Sequence, residues 1–154
     1  MTSTTVRRAL AAAATALAIS LGASAPMPAA AAPAGLLEDA DRIMNLGYRD
    51  FMNHPRVAPF DWSTDGCSGP VLPPAKQMFH DACVQHDFGY GNYGPRGGLK
   101  LDTSEGRRAR IDERFWHEMR NICNDRYPGL LNPGCLLSAE TIYRGVREWG
   151  GDYW

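Results

Sequence analysis

The stretch CVQHDFGY, residues 83–90, decides how this chain is read. It sets His86 directly beside Asp87, the two residue types of a general-base pair. On a helix, however, neighbours point about 100° apart and cannot face each other. Each residue therefore needs a separate partner elsewhere in the fold. The surrounding stretch 75–93 has no proline and follows Pro73-Pro74, so a helix is expected to begin near Ala75. On that helix Phe79, Cys83, His86, Asp87 and Tyr90 share one arc of about 100°. His86 and Asp87 occupy its opposite margins, with Cys83 and Tyr90 between them.

A second helix is expected over 103–125, capped by Thr103 or Ser104. Asp112, Phe115, Trp116, Met119 and Cys123 again share an arc of about 100°. Asp112 is the oddity, a carboxylate on an otherwise apolar stripe, and a buried carboxylate must be paired. His86 on an antiparallel neighbour is the plainest partner. One ring N–H would go to Asp112 and the other nitrogen would stay free as a base. Spacing alone supports a purely structural His–Asp hydrogen bond equally well.

Outward from these two helices the chain reads as mostly α. Residues 35–52 suggest a helix of moderate regularity, and 137–149 a last helix capped by Ser138. The segments 53–74, 94–102 and 126–135 are rich in Pro, Gly, Ser, Asn and Asp and read as loops. There is almost no β-type alternation and no internal repeat.

The first 31 residues do not read as part of this domain. MTSTTVRR is a short basic region, residues 9–25 are apolar, and 26–35 are small residues suited to cleavage. This is the pattern of a secretory signal peptide over 1–31, with Ala29–Ala31 preferred for cleavage over the site before Pro26. The mature chain over 32–154 is long enough for one domain with a modest core. The whole chain has formal net charge −1 from 16 basic and 17 acidic residues. Loss of Arg7 and Arg8 leaves 14 against 17, or −3, which argues against a nucleic-acid partner. The four cysteines, Cys67, Cys83, Cys123 and Cys135, all lie in the mature part. In a secreted chain they read as disulfides. Of three pairings, Cys67–Cys83 and Cys123–Cys135 close short loops and are preferred, each stabilising by roughly 3 kcal/mol. Zinc on Cys83-x-x-His86 is the weaker reading, because no second closely spaced ligand pair follows.

Asp87 acquires a role through that pairing. A Cys67–Cys83 bridge would bring FDWSTDGC, residues 60–67, against the helix, setting Asp65 and the Gly66 carbonyl near Asp87. Carboxylates and carbonyl oxygen suit a hard cation, Ca2+ above all outside the cell. Asp61 is a second candidate, with a turn or cap role more strongly supported.

FDWSTDGC followed by ACVQHDFGYGNY, then RIDERFWHEM with two later cysteines, resembles the secreted phospholipase A2 family of the prokaryotic and fungal type. The resemblance runs from about Phe60 to the last helix. It implies a small disulfide-linked all-α domain with two antiparallel helices carrying the active site. It implies His86 as general base, Asp112 as its orienting carboxylate, and Asp65, Gly66 and Asp87 as calcium ligands. Tyr90 would lie near the substrate phosphate, and the cysteines would pair as above. It further implies calcium-dependent hydrolysis of the sn-2 ester of glycerophospholipids by a secreted monomer acting at a phospholipid surface. Two features depart from the family: Gly66 where a bulkier residue is common, and a longer connection over 94–108.

Two other readings stand beside this one. One is a calcium-dependent phospholipid-binding protein without catalysis. The other is a disulfide-stapled interaction protein whose His86–Asp112 pair is structural. No G-x-S-x-G elbow points to a serine hydrolase, and WHEMR lacks the second His of a zinc protease. His80 reads as a rim residue, His54 and His117 as solvated. Arg107, Arg108 and Arg110 are expected on a solvated helix face. The tail EWGGDYW suits either a membrane interface or core packing.

Overall fold

A computed structural model describes residues 34–69 and 71–154. The expected leader over 1–31 and the start of the mature chain lie outside the described residues. Among the described residues six α-helices follow in order: α1 (Ala34–Met44), α2 (Tyr48–Asn53), α3 (Pro73–Met78), α4 (His80–Tyr93), α5 (Glu105–Arg126) and α6 (Asn132–Trp149). Short 3-10 turns span Gly129–Leu131 and Gly150–Asp152. No strand occurs among the described residues, and none of their helices is long and apolar enough to cross a membrane.

The expected helix over 35–52 is two helices. Gly47 is extended, with φ −62° and ψ 153°, and the break is held from elsewhere in the fold. The buried Glu118 carboxylate accepts the Tyr48 N–H at 2.8 Å, supplying the cap that Gly47 lacks. Gln85 Nε2 donates to the Met44 and Leu46 carbonyls, and Arg114 to those of Asn45 and Leu46. Carbonyls left open where α1 ends are thereby satisfied.

The expected helix from Ala75 starts two residues earlier, with proline in the first turn, where its missing N–H costs nothing. It bends at Phe79 (φ −104°, ψ 12°), whose ring is fully buried. α5 is capped by Ser104, whose Oγ accepts from the Arg107 N–H at 3.2 Å. α6 begins at Asn132 rather than near Ser138, again with proline in its first turn. Ser138 therefore sits inside the helix, where its hydroxyl donates to the Gly134 carbonyl.

α4 and α5 pack antiparallel. Asp81 meets Arg126 near one end, and Gly89 meets Ile111 toward the other. A Cβ on Gly89 would sit 2.6 Å from Ile111 Cγ2, so the close approach of the helices depends on glycine there. Gly89→Ala is expected to destabilise by about 1–3 kcal/mol through overpacking, outweighing its helix-propensity gain of roughly 1 kcal/mol or less. A thermal melt checks this.

α4 is buried on two sides, beyond the single stripe expected. Val84 and Phe88 pack with Phe51, Phe60 and Ile43. Phe79, Ala82 and Cys83 pack with Phe115, Met119 and Ile122. The bridges Cys67–Cys83 and Cys123–Cys135 tie the long loop to α4 and the end of α5 to the start of α6. That loop is fixed a second time, since Asn92 both accepts from the Asp61 N–H and donates to its carbonyl, each at 2.8 Å.

Candidate active site

Divergence of adjacent residues on α4 is the organising geometry. His86 turns to α5, where its Nε2 lies 2.8 Å from Asp112 Oδ1. Asp87 turns to the loop, where its Oδ2 accepts from the Thr64 hydroxyl at 2.5 Å. The His86 ring is held between Tyr90 and Phe115, with centroids 4.3 Å and 4.6 Å away.

Asp112 is fully buried and takes four donors. Oδ1 faces His86 and accepts the Tyr90 hydroxyl at 2.8 Å. Oδ2 accepts from Arg147 at 2.6 Å and Arg108 at 3.2 Å. A carboxylate that takes two guanidinium donors on Oδ2 offers Oδ1 to His86 as an acceptor. Nε2 therefore carries the proton, and in the neutral ring Nδ1 holds the free lone pair. Nδ1 has no hydrogen-bond partner among the described residues, and the ring lines an open groove.

Tyr90 remains a protonated donor because burial, followed by the Asp112 charge, pushes its hydroxyl well above the usual tyrosine range. Its hydroxyl is thus engaged with Asp112 rather than free for a phosphate, although its ring lines the groove. Arg108 corrects the expectation of a solvated face: it is buried, bonding Glu105, Asp112 and the α6 carbonyls of Val146 and Arg147. Two arginines holding Glu105 lower its carboxyl to about 2.

The groove encloses about 1020 Å³. Asp65, Gly66, His86 and Asp87 lie along it, and Phe115, Ile142, Val146 and Trp149 supply apolar lining. Gly66 has φ +67°, the left-handed region that glycine adopts without strain. Its N–H donates to Thr64 Oγ1 at 3.0 Å, so Thr64 couples the loop turn to Asp87. Burial pushes the Asp87 carboxyl up, the Thr64 hydroxyl works against this, and the nearby Asp65 charge adds to it. This donor set fits a hard cation: every donor is oxygen, and Asp87 faces the like charge of Asp65. Among the described residues no three His, Cys, Asp or Glu side chains are placed to hold a metal ion together, so an ion here would also draw on carbonyl oxygen and water.

Other candidates fall outside the site. Asp61 accepts the Ser63 N–H in a local turn, which lowers its pKa. Cys83 is bridged, so no Cys83–His86 zinc pair exists. His80 and His117 are exposed, while His54 stacks on Trp62. The tail divides: Trp149 and Tyr153 are exposed along the groove, whereas Trp154 is buried edge-on to Tyr90. Arg147, Thr64 and the α6 wall were not singled out from the sequence. A basic residue near the C-terminal end of a helix is too common to flag one.

A small disulfide-linked helical domain with a buried His–Asp pair opening on a groove is the class these features define. The model of the prokaryotic phospholipase A2 family matches residues 43–150, and the chain belongs to that family. A secretory phospholipase A2 of Beauveria bassiana (strain ARSEF 2860) is 37% identical over 106 residues, covering 69% of this chain and 50% of that protein. The chain thus spans half the length of that curated relative.

Proposed function

We propose that the chain is a secreted, calcium-dependent phospholipase A2 that hydrolyses the sn-2 ester of glycerophospholipids to a lysophospholipid and a fatty acid. The observation that carries this reading is His86, anchored through Nε2 on Asp112 and lining a groove that also holds Asp65, Gly66 and Asp87. Family membership, the two disulfides and the secretory relative support it further.

His86 Nδ1 takes a proton from water, and the resulting hydroxide attacks the ester carbonyl. Asp112 holds the ring and balances the imidazolium that forms. His86 then returns the proton to the leaving alkoxide, so no acyl-enzyme is needed. The Asp65 and Asp87 carboxylates and the Gly66 carbonyl would hold calcium. Bound there, calcium would polarise the ester carbonyl and offset oxyanion charge. The apolar wall from Phe115 to Trp149 takes an acyl chain out of water.

Fatty-acid release from phosphatidylcholine vesicles, with calcium or with chelator, tests the proposal. Release is expected with calcium and should fall to background in chelator. Persistent release in chelator sinks the metal assignment. Calcium-dependent vesicle binding without release sinks the catalytic one. Asp87→Asn is expected to weaken calcium binding about 10- to 100-fold, since one of two carboxylates is lost; calorimetric titration reads this.

A further inference from the structure

Asp112 needs only one oxygen to hold His86. Its other oxygen is bound from its own helix by Arg108 at 3.2 Å and, more closely, from α6 by Arg147 at 2.6 Å. Arg147, on α6, donates to Asp112 Oδ2 at 2.6 Å and to Glu105 Oε1 at 2.8 Å. Its side chain keeps 28% exposure, whereas Arg108, the second donor to Oδ2, is only 7% exposed and tied to α6 carbonyls. The terminal torsion of an aspartate is soft and roughly two-fold, so one hydrogen bond does not fix the plane of the carboxylate. Donors on both oxygens do, and on Oδ2 the shorter of the two contacts is that of Arg147. We propose that Arg147 is a positioning residue for hydrolysis, fixing the Asp112 carboxylate plane so that Oδ1 stays aimed at His86 Nε2.

Arg147 does not line the groove and bonds none of the proposed ion ligands, so its link to His86 runs through Asp112. Its neighbours Val146 and Trp149 line the groove, so the wall that would contact an acyl chain and the clamp on the dyad belong to one helical segment. A role confined to joining α6 to α5 through Glu105 would be structural. It would lower the melting temperature without changing turnover in the folded enzyme.

The inference rests on the phospholipase reading, and two measurements on the mature chain with calcium separate the two. In Arg147→Gln, kcat is expected to fall about 10- to 100-fold, the range for loss of a supporting hydrogen-bond partner, with KM within about twofold. Arg147→Lys should recover part of the loss, and added ethylguanidinium should raise kcat of Arg147→Ala. Wild-type turnover in Arg147→Gln, or no recovery from either lysine or ethylguanidinium, overturns the proposal. The second measurement needs no activity. With four histidines in the chain, 15N NMR can follow the His86 ring at fixed pH. Its Nε2–H tautomer should dominate in the wild type and lose population in Arg147→Gln. An unchanged tautomer overturns the inference even if the wild type proves inactive, an outcome that would by itself overturn only the phospholipase reading.

Discussion

Replacing His86 with Asn is expected to lower fatty-acid release about 10²- to 10⁴-fold, the usual contribution of a general base, while calcium affinity stays within about twofold. The Asn amide reaches only as far as the Nδ1 and Cδ2 positions of the ring, so the hydrogen bond from Nε2 to Asp112 is lost with the base. It has no nitrogen able to accept a proton at neutral pH. His86 also contributes ring contacts to Tyr90 and Phe115, so a modest loss of stability should accompany the kinetic effect. The proposed ion ligands lie on the other side of the α4 backbone turn and in the loop, and the substitution touches none of them. Steady-state kinetics on vesicles together with calorimetric calcium titration check both halves. Equal loss of calcium binding in His86→Asn and Asp87→Asn would show that α4 does not divide the two tasks between these neighbours.

Asp112→Asn is expected to be more damaging, because stability and turnover fall together. The present carboxylate accepts on both oxygens: His86 and Tyr90 on one side, Arg108 and Arg147 on the other. An amide keeps one acceptor and turns the other position into a donor. If its NH2 faces the arginines, two guanidinium groups lose a partner in a buried site. If it faces His86, the imidazole must present a bare Nε2, which moves its proton to Nδ1 and blocks the base. Breaking a buried ion pair by removing one partner costs about 3–5 kcal/mol. A wrong-tautomer histidine in a comparable hydrolase arrangement costs about 10⁴-fold in kcat. Denaturant unfolding and kinetics on the folded fraction read the two effects. A variant as stable as the wild type would show that the arginines do not depend on Asp112 for their charge balance.

Much of this site was legible in the sequence because helical periodicity is a local property. Advancing about 100° per residue sends His86 and Asp87 to opposite margins, and marks Asp112 as a carboxylate on an apolar stripe. Cysteine spacing over short loops likewise pointed to the two bridges now seen. Boundaries were less legible. The break at Asn45–Gly47 depends on Glu118, Gln85 and Arg114, which arrive from α4 and α5. Nothing within residues 35–52 signals their arrival. The early start of α6 places Pro133 in its first turn, a position where proline can open a helix as readily as interrupt one.

By itself, the sequence determined the helical class and the divergence of His86 from Asp87, while the antiparallel partnership of the two central helices was implied by the family resemblance. Periodicity and short-loop cysteines act over a few residues, and each can be read without knowing where the rest of the chain goes. Only the tertiary structure decided what Asp112 does with its second oxygen, why Arg108 is buried and why the Tyr90 hydroxyl points inward. Those outcomes depend on α6 folding back so that Arg147 lies 35 residues along the chain from Asp112 yet 2.6 Å away. A long charged side chain shows nothing in sequence of whether it will meet water or a buried carboxylate. Desolvation and ion pairing settle that choice, and they act only once the helices have packed.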